Sequence, residues 1–534
     1  MWEIAEELGA LIVFAEHRYE PLSHPALCGP DTQSCFAFCT TAQAIADWVT
    51  IIASLREQHS VRAPVVAFGG SYGGMIAGWF RMKYPEVVDG VIAASGPIWQ
   101  LAGTVRTETL DMQAVAITRG VSAAGGATDQ CRDNLRAAWP LLQEAGKTAV
   151  GLQLLGNASK QCAPLADERA LPSWAQSPYF YMAEGNYPFP STYITFSVTS
   201  GDPYPLLAWP MRVACERGLN QDFGIELEGD VSSVLYNLTL GDIKVEVDWA
   251  DATGNGASLT AAQLEASSVL RLATAVADAA GVWYNLTQDQ PCYGAAPAEP
   301  QSQPELQSQP GLLSATATER QLVEAQEDSF CPACPPCDDC PPCPVSFCNY
   351  EDTAPCSFTG ELDKGFSWGG ICCNDALSQV DIHGVGRGIF WPPQVPNRTY
   401  SVESVVGPKE ITPGGCAYSG DLRGGPLISD AWSTWMQAYY GGRDVAQHRS
   451  IVWSNGALDP WSGQGVYPEG GGPDGPMVRN ISADGSQMAL ILDLGAHHLD
   501  LMFSDPSNPP CFFDARAIEE AMIRQFIQEA YDAL

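Results

Sequence analysis

Residues 10–15 (Ala-Leu-Ile-Val-Phe-Ala) form a short, continuous apolar run, β-branched at its centre, of the kind that makes a strand buried on both faces. The pattern then changes period. Over residues 40–56, Ile45, Trp48, Val49, Ile52 and Leu55 recur on one helical face, and Thr40 and Gln43 stand at capping-box spacing before them. A second apolar run at 63–68 predicts another strand. Residues 72–83 predict a helix, which Tyr84-Pro85 ends because the residue before proline avoids helical geometry. A third strand is predicted over 88–95. Strand alternating with helix points to a parallel α/β sheet with right-handed crossovers.

The middle of the chain reads differently. From about 98 to 281 alanine- and leucine-rich helical stretches dominate, 259–279 among them, broken by proline and aromatic loops. Residues 294–345 are rich in Pro and Gln and then in Cys, with Cys331, Cys334, Cys337, Cys340 and Cys343 spaced by proline- or acid-containing pairs; such a segment predicts disorder or a disulfide-laced loop. Strand patterns return at 450–454 and 488–492, followed by a terminal helix over 514–534 with Ile518, Met522, Phe526 and Ala530 in register. The expected organisation is an α/β fold split into 1–97 and 360–534, with a helical insertion over 98–359.

Charge and cysteine content narrow the setting. With 27 basic against 62 acidic side chains the net charge is -35, which repels nucleic acid and anionic membranes. Eighteen cysteines and five N-x-S/T sequons, at Asn157, Asn237, Asn285, Asn397 and Asn480, suit an oxidising, glycosylating compartment. Met1-Trp2-Glu3-Ile4 has neither the basic start nor the apolar core of a signal peptide, so the expectation is a chain truncated at its N-terminus. No apolar stretch is long enough to span a membrane.

Candidate chemistry begins at Gly69-Gly70-Ser71-Tyr72-Gly73. The motif follows a predicted strand and opens a predicted helix, the setting of a nucleophile elbow. Ser71 is the candidate nucleophile and the Tyr72 N–H the candidate oxyanion donor, since a helix N-terminus favours the charge that develops on an attacked carbonyl. A serine needs a base, and the base an orienting acid. Of seven histidines, His497 and His498 follow the strand at 488–492, and Asp459 follows the strand at 450–454. The order Ser, Asp, His is that of an α/β-hydrolase. A zinc site at the histidine pair lacks a third ligand at suitable spacing, and the cysteine repeat lacks the separated second pair of a zinc ribbon; neither a metal nor a cofactor is expected.

Four blocks together resemble the serine carboxypeptidase S28 family, which holds lysosomal Pro-X carboxypeptidase, dipeptidyl peptidase II and the thymus-specific serine protease. They are Phe14-Ala15-Glu16-His17-Arg18-Tyr19, the elbow with Trp79-Phe80-Arg81-Met82-Lys83-Tyr84-Pro85, Ser454-Asn455-Gly456 through Asp459-Pro460-Trp461-Ser462-Gly463, and Gly495-Ala496-His497-His498-Leu499-Asp500-Leu501. The resemblance implies an α/β-hydrolase with a helical cap. It implies proline-directed exopeptidase activity in a lysosomal, vacuolar or secreted setting, peptide substrates with proline near a terminus, and a homodimer as a conceivable assembly. It assigns the base to His497 and its orienter to Asp459, and places Met75, Trp461 and His498 beside the triad at the proline pocket. The chain departs from the family in starting after an upstream loop, in reading Glu20-Pro21 after Tyr19, and in carrying Met502 where an arginine usually follows the His-His block. A lipase or esterase on the same fold, and a hydrolase shell acting as a binding glycoprotein, are the alternatives.

Overall fold

A computed structural model describes residues 2–18, 38–101, 111–195, 204–229, 235–248, 259–294, 435–468 and 472–533, together with positions 104, 106, 109, 371, 375 and 388–391. Two segments far apart in sequence build one sheet. Strands β1 (Val66–Gly70), β2 (Gly90–Ala94), β6 (Ile451–Gly456) and β8 (Gln487–Leu492) run parallel in the order β1-β2-β6-β8, and the short β7 (Val478–Asn480) closes the far edge antiparallel to β8. The register sets Ser454 opposite both Ala94 and Leu490, so the strand ends that carry the chemistry lie side by side.

Alternation along these strands buries both faces. Val91, Ala93, Ile451 and Trp453 pack towards helix α2 (Tyr72–Lys83), whose Met75, Trp79 and Phe80 join the same cluster. Ile92, Val452 and Leu490 point the other way, against Met522 and Phe526 of the terminal helix Pro510–Asp532. A sheet apolar on both faces needs helices on both, which is why its strands read as continuous apolar runs. Helix α1 (Thr41–His59) starts where the capping pattern placed it: the Thr40 side chain accepts from the Gln43 N–H at 3.2 Å.

One predicted strand is absent. Residues 10–15 lie outside the sheet, with Leu11, Ile12, Val13 and Phe14 exposed, and β1 is left as an edge on which Phe68 is 43% exposed. The cause is local. Gly9 ends the preceding turn in left-handed geometry (φ 60°), its N–H returning to Ala5 and Glu6, and turns the chain outward. Beyond the run, Arg18 forks onto Asp47 at 2.5 and 2.7 Å. Apolarity alone does not supply a ladder partner.

The insertion has a core of its own. Helices Met112–Gly120, Asp129–Ala145, Ala149–Ala158, Ala170–Gln176, Pro178–Glu184 and Val269–Tyr284 contribute to one large cluster, which also takes in Ile389, Phe390 and Trp391. It is not purely helical. Strands β3 (Glu226–Glu228), β4 (Leu235–Leu240) and β5 (Ile243–Asp248) form an antiparallel sheet whose Tyr236, Leu238, Leu240, Ile243, Val245 and Val247 are buried. A two-residue turn at Gly241-Asp242, with Gly241 at φ 59°, joins β4 to β5. Cys131–Cys215 and Cys162–Cys292 cross-link this region over 84 and 130 residues. On chain-entropy grounds, loops of this length stabilise the fold by roughly 4 to 5 kcal/mol each. No helix among the described residues is long and apolar enough to cross a membrane.

Candidate active site

Ser71 sits where β1 turns into α2, and the backbone there is strained. Its φ of 60° and ψ of −128° lie in a region that side chains seldom occupy, a cost of about 1 to 3 kcal/mol that surrounding contacts must offset. The Ser71 N–H donates to the Ala94 carbonyl at 3.0 Å, pinning the elbow to the end of β2. Glycine is required beside it for close approach. A Cβ on Gly74 would stand 2.4 Å from the Ala94 oxygen, and one on Gly70 would stand 2.8 Å from the His498 ring. His498, from the far end of the chain, therefore packs directly on the elbow. Tyr72 opens the helix, and its hydroxyl lies 2.9 Å from Thr41 Oγ1 and 3.3 Å from His17 Nε2, so the His17 block braces the elbow from behind.

Asp459 and His497 meet as the order of motifs requires. The Asp459 side chain caps the 3-10 turn Pro460–Gln464, accepting from the Trp461 N–H at 3.0 Å, and the same Oδ1 lies 3.0 Å from His497 Nδ1. Both side chains are fully buried. Burial alone pushes the His497 imidazole down, but the charge and hydrogen bond of Asp459, joined by Glu184 and Asp500, outweigh it and hold the group above its ordinary value. His497 Nε2, the nitrogen a triad turns to its nucleophile, is buried without a hydrogen-bond partner.

His498 is held differently. Its backbone N–H donates to Ser95 Oγ at 2.8 Å, and its Nε2 is 2.9 Å from the Tyr193 hydroxyl. Burial, with the neighbouring His497 charge, pushes it well below the ordinary imidazole value. Its ring centroid is 4.4 Å from that of His497. Trp461 also flanks the base, with ring centroids 6.3 Å apart, and meets Phe180 edge-on at 5.5 Å. Met75 is buried one turn into α2, within the sheet-side core; Trp461 lies outside that cluster. The structure thus gathers Ser71, Tyr72, Asp459, His497, His498 and Trp461 at one end of the sheet, whereas Met75 backs the elbow.

The cap supplies residues that no motif announced. Helix Pro178–Glu184 packs on the 3-10 turn of Asp459, and the segment after it clasps the base loop. The Glu184 carbonyl accepts from the His497 N–H at 3.4 Å, and the Tyr187 hydroxyl donates to the His497 carbonyl at 3.1 Å. Glu184 Oε1 accepts from Trp461 Nε1 at 3.2 Å and stands 3.7 Å from His497 Nε2. Burial raises the Glu184 carboxyl above its ordinary value, against the lowering effect of His497 and the Trp461 hydrogen bond. The only sequence signal for these residues is the aromatic density of 179–193, which does not distinguish a site from a core.

Of the expected glycosylation positions, Asn157, Asn237 and Asn480 are exposed and Asn285 is half-buried; Asn397 lies outside the described residues, as does the cysteine repeat at 331–343.

Comparison with known proteins agrees with this geometry. The sequence profile described as serine carboxypeptidase S28 matches residues 1–221. Human lysosomal Pro-X carboxypeptidase is 26% identical over 539 residues, spanning 100% of this chain and 78% of the relative. The Caenorhabditis elegans prolyl carboxy peptidase like protein 5 is 31% identical over 255 residues, 45% of this chain and 47% of that one. Human thymus-specific serine protease is 34% identical over 97 residues, 18% of each chain. The similarity runs through both sheet-building segments in which the serine, acid and histidine stand. Residues 1–221 thus match the serine carboxypeptidase S28 family and the whole chain is similar to its Pro-X carboxypeptidases, which makes the protein a serine peptidase on an α/β-hydrolase fold.

Proposed function

We propose that this peptidase cleaves peptides at a prolyl bond near one terminus, through an acyl-enzyme formed on Ser71. The observation that carries the reading is the fully buried His497–Asp459 pair, 3.0 Å apart, on a loop whose next residue packs on the elbow glycine. His497 Nε2 takes the Ser71 proton as Oγ attacks the carbonyl after proline, and returns it to the leaving amine. Asp459 fixes the tautomer and stabilises the imidazolium. The Tyr72 N–H, at the positive end of α2, receives the oxyanion.

Trp461 and His498 form the wall for the pyrrolidine ring, which has no N–H to satisfy and suits apolar, aromatic surroundings, while Met75 supports the elbow from the core behind it. The cap, residues 98–359 in this reading, closes the groove over the catalytic unit formed by 1–97 and 360–534. The names of the relatives place them in the lysosome. The disulfides of the cap support a lumenal or secreted setting here too, where the exposed sequons would carry glycans. A homodimer belongs to the same proposal and is tested by sedimentation. The experiment for the activity is Ser71→Ala: it abolishes hydrolysis of proline-containing peptides, and hydrolysis that survives it rules out this mechanism. Turnover of esters with none of prolyl peptides favours the lipase alternative instead.

A further inference from the structure

The triad explains bond cleavage but not which peptide terminus the site reads, and one side chain near the base has no part in the mechanism. Glu184 projects from the end of a cap helix to 3.7 Å from His497 Nε2, with Trp461 Nε1 holding its Oε1 at 3.2 Å. Among the described residues, the charged groups that act on this carboxyl are His497 and Asp459, and no lysine or arginine is among them. Arg516 directs its guanidinium instead to Glu3 and to the carbonyls of Asp500 and Met502. Among the described residues, the charges that act on His497 are therefore acidic: Asp459, Glu184 and Asp500. A substrate carboxylate arriving there meets repulsion from a carboxylate already short of solvent, whereas an ammonium group meets an unmatched acceptor.

From this we propose that Glu184 binds the protonated amino terminus of the peptide, so that the enzyme releases N-terminal dipeptides ending in proline rather than single C-terminal residues. The inference rests on the Ser71–His497–Asp459 reading of the site. The reach fits a dipeptide. In a reacting triad Nε2 is about 3 Å from the serine oxygen, which puts the Glu184 carboxylate within roughly 7 Å of the oxygen that attacks the carbonyl. Two residues of extended chain cover about 7 Å, so the amine of the second residue upstream arrives where Oε1 stands. A third residue would overrun it. The contact with Trp461 fixes the acceptor beside the wall that holds the proline, and α-amine and proline are thereby read together.

The test uses the full chain and three substrates: a dipeptide Xaa-Pro joined to a fluorogenic amine with its amino terminus free, the same compound N-acetylated, and an N-acylated Pro-Phe with a free carboxylate. Rates are normalised to active sites titrated with a fluorophosphonate. The wild-type enzyme is expected to prefer the free-amine substrate over its acetylated form by about 10- to 150-fold in kcat/KM, the span of one hydrogen bond to a charged group. Glu184→Gln is expected to erase most of that ratio, chiefly through KM, and Glu184→Asp to restore part of it. If acetylation leaves the wild-type kcat/KM unchanged, or the Pro-Phe substrate is the preferred one, the proposal is overturned by the wild-type enzyme alone. A Glu184→Gln enzyme that slows on all three substrates equally would also overturn it, since the carboxylate would then act only through His497. Failure of the triad reading looks different: Ser71→Ala would go on cleaving whichever substrate the wild type prefers.

Discussion

Replacing Asp459 by asparagine removes one negative charge from a buried site without changing its shape. The carboxylate stands 3.0 Å from His497 Nδ1 and also accepts from the Trp461 N–H. At that separation and an effective dielectric constant of about 20, the attraction to an imidazolium is about 5 kcal/mol, close to four factors of ten in rate. A second effect acts in the same direction. Where the amide sets its NH2 in the place of Oδ1, which faces both Nδ1 and the Trp461 N–H, it forces the His497 proton onto Nε2, where it blocks acceptance of the Ser71 proton. Glu184 and Asp500 remain to support a positive imidazole, so the loss is expected at about 10³- to 10⁴-fold in kcat, with KM little changed. The assay is steady-state hydrolysis of a prolyl fluorogenic peptide, checked for fold by circular dichroism. A loss under about tenfold in a folded variant would show that Asp459 does not orient the base.

Because Asp459, Glu184 and Asp500 together lift the imidazole of His497 above its ordinary value despite burial, the acid limb of kcat/KM is expected above the pH of a free imidazole; Glu184→Gln, one charge poorer, moves that limb to lower pH, as a pH profile of the two enzymes would show. Gly70→Ala would press a methyl group to within 2.8 Å of the His498 ring, so a drop in kcat larger than the accompanying loss of about 1 to 3 kcal/mol in stability is expected from paired kinetic and denaturation measurements. Behind the base, Asp500 and Glu519 form a buried pair of carboxyls, both raised by burial, and Glu519 further by the charge of Asp500. Groups held neutral in the fold support it fully below the ordinary carboxyl range and lose that support as pH climbs from there through their raised values. Thermal unfolding of Glu519→Gln is therefore expected to depend less on pH, above the ordinary carboxyl range, than that of the wild type.

How much of this the sequence carried depended on the kind of signal. The elbow was legible because a strand, two glycines and a helix occur in immediate succession, and helix Tyr72–Lys83 has the bounds its pattern predicts. The pairing of Asp459 with His497 was legible only through order along the fold, since 38 residues separate them. Residues 10–15 show the limit of an apolar run, which says that burial is favoured and not that a ladder exists to receive it. The hairpin of β4 and β5 had a usable signal in its strict alternation around Gly241-Asp242, overlooked beside the helix-rich composition around it. Glu184 had none. It lies 275 residues before Asp459, and only the packing of a cap helix on the acid's 3-10 turn brings it to the base.

The most direct test of the account is to locate the covalent adduct. Intact protein treated with a fluorophosphonate, digested and mapped by mass spectrometry, should carry one modification, on the peptide containing Gly70-Ser71-Tyr72, and should lose prolyl-peptide hydrolysis in proportion to labelling. An adduct on a different serine, or full loss of activity with Ser71 unmodified, would contradict it.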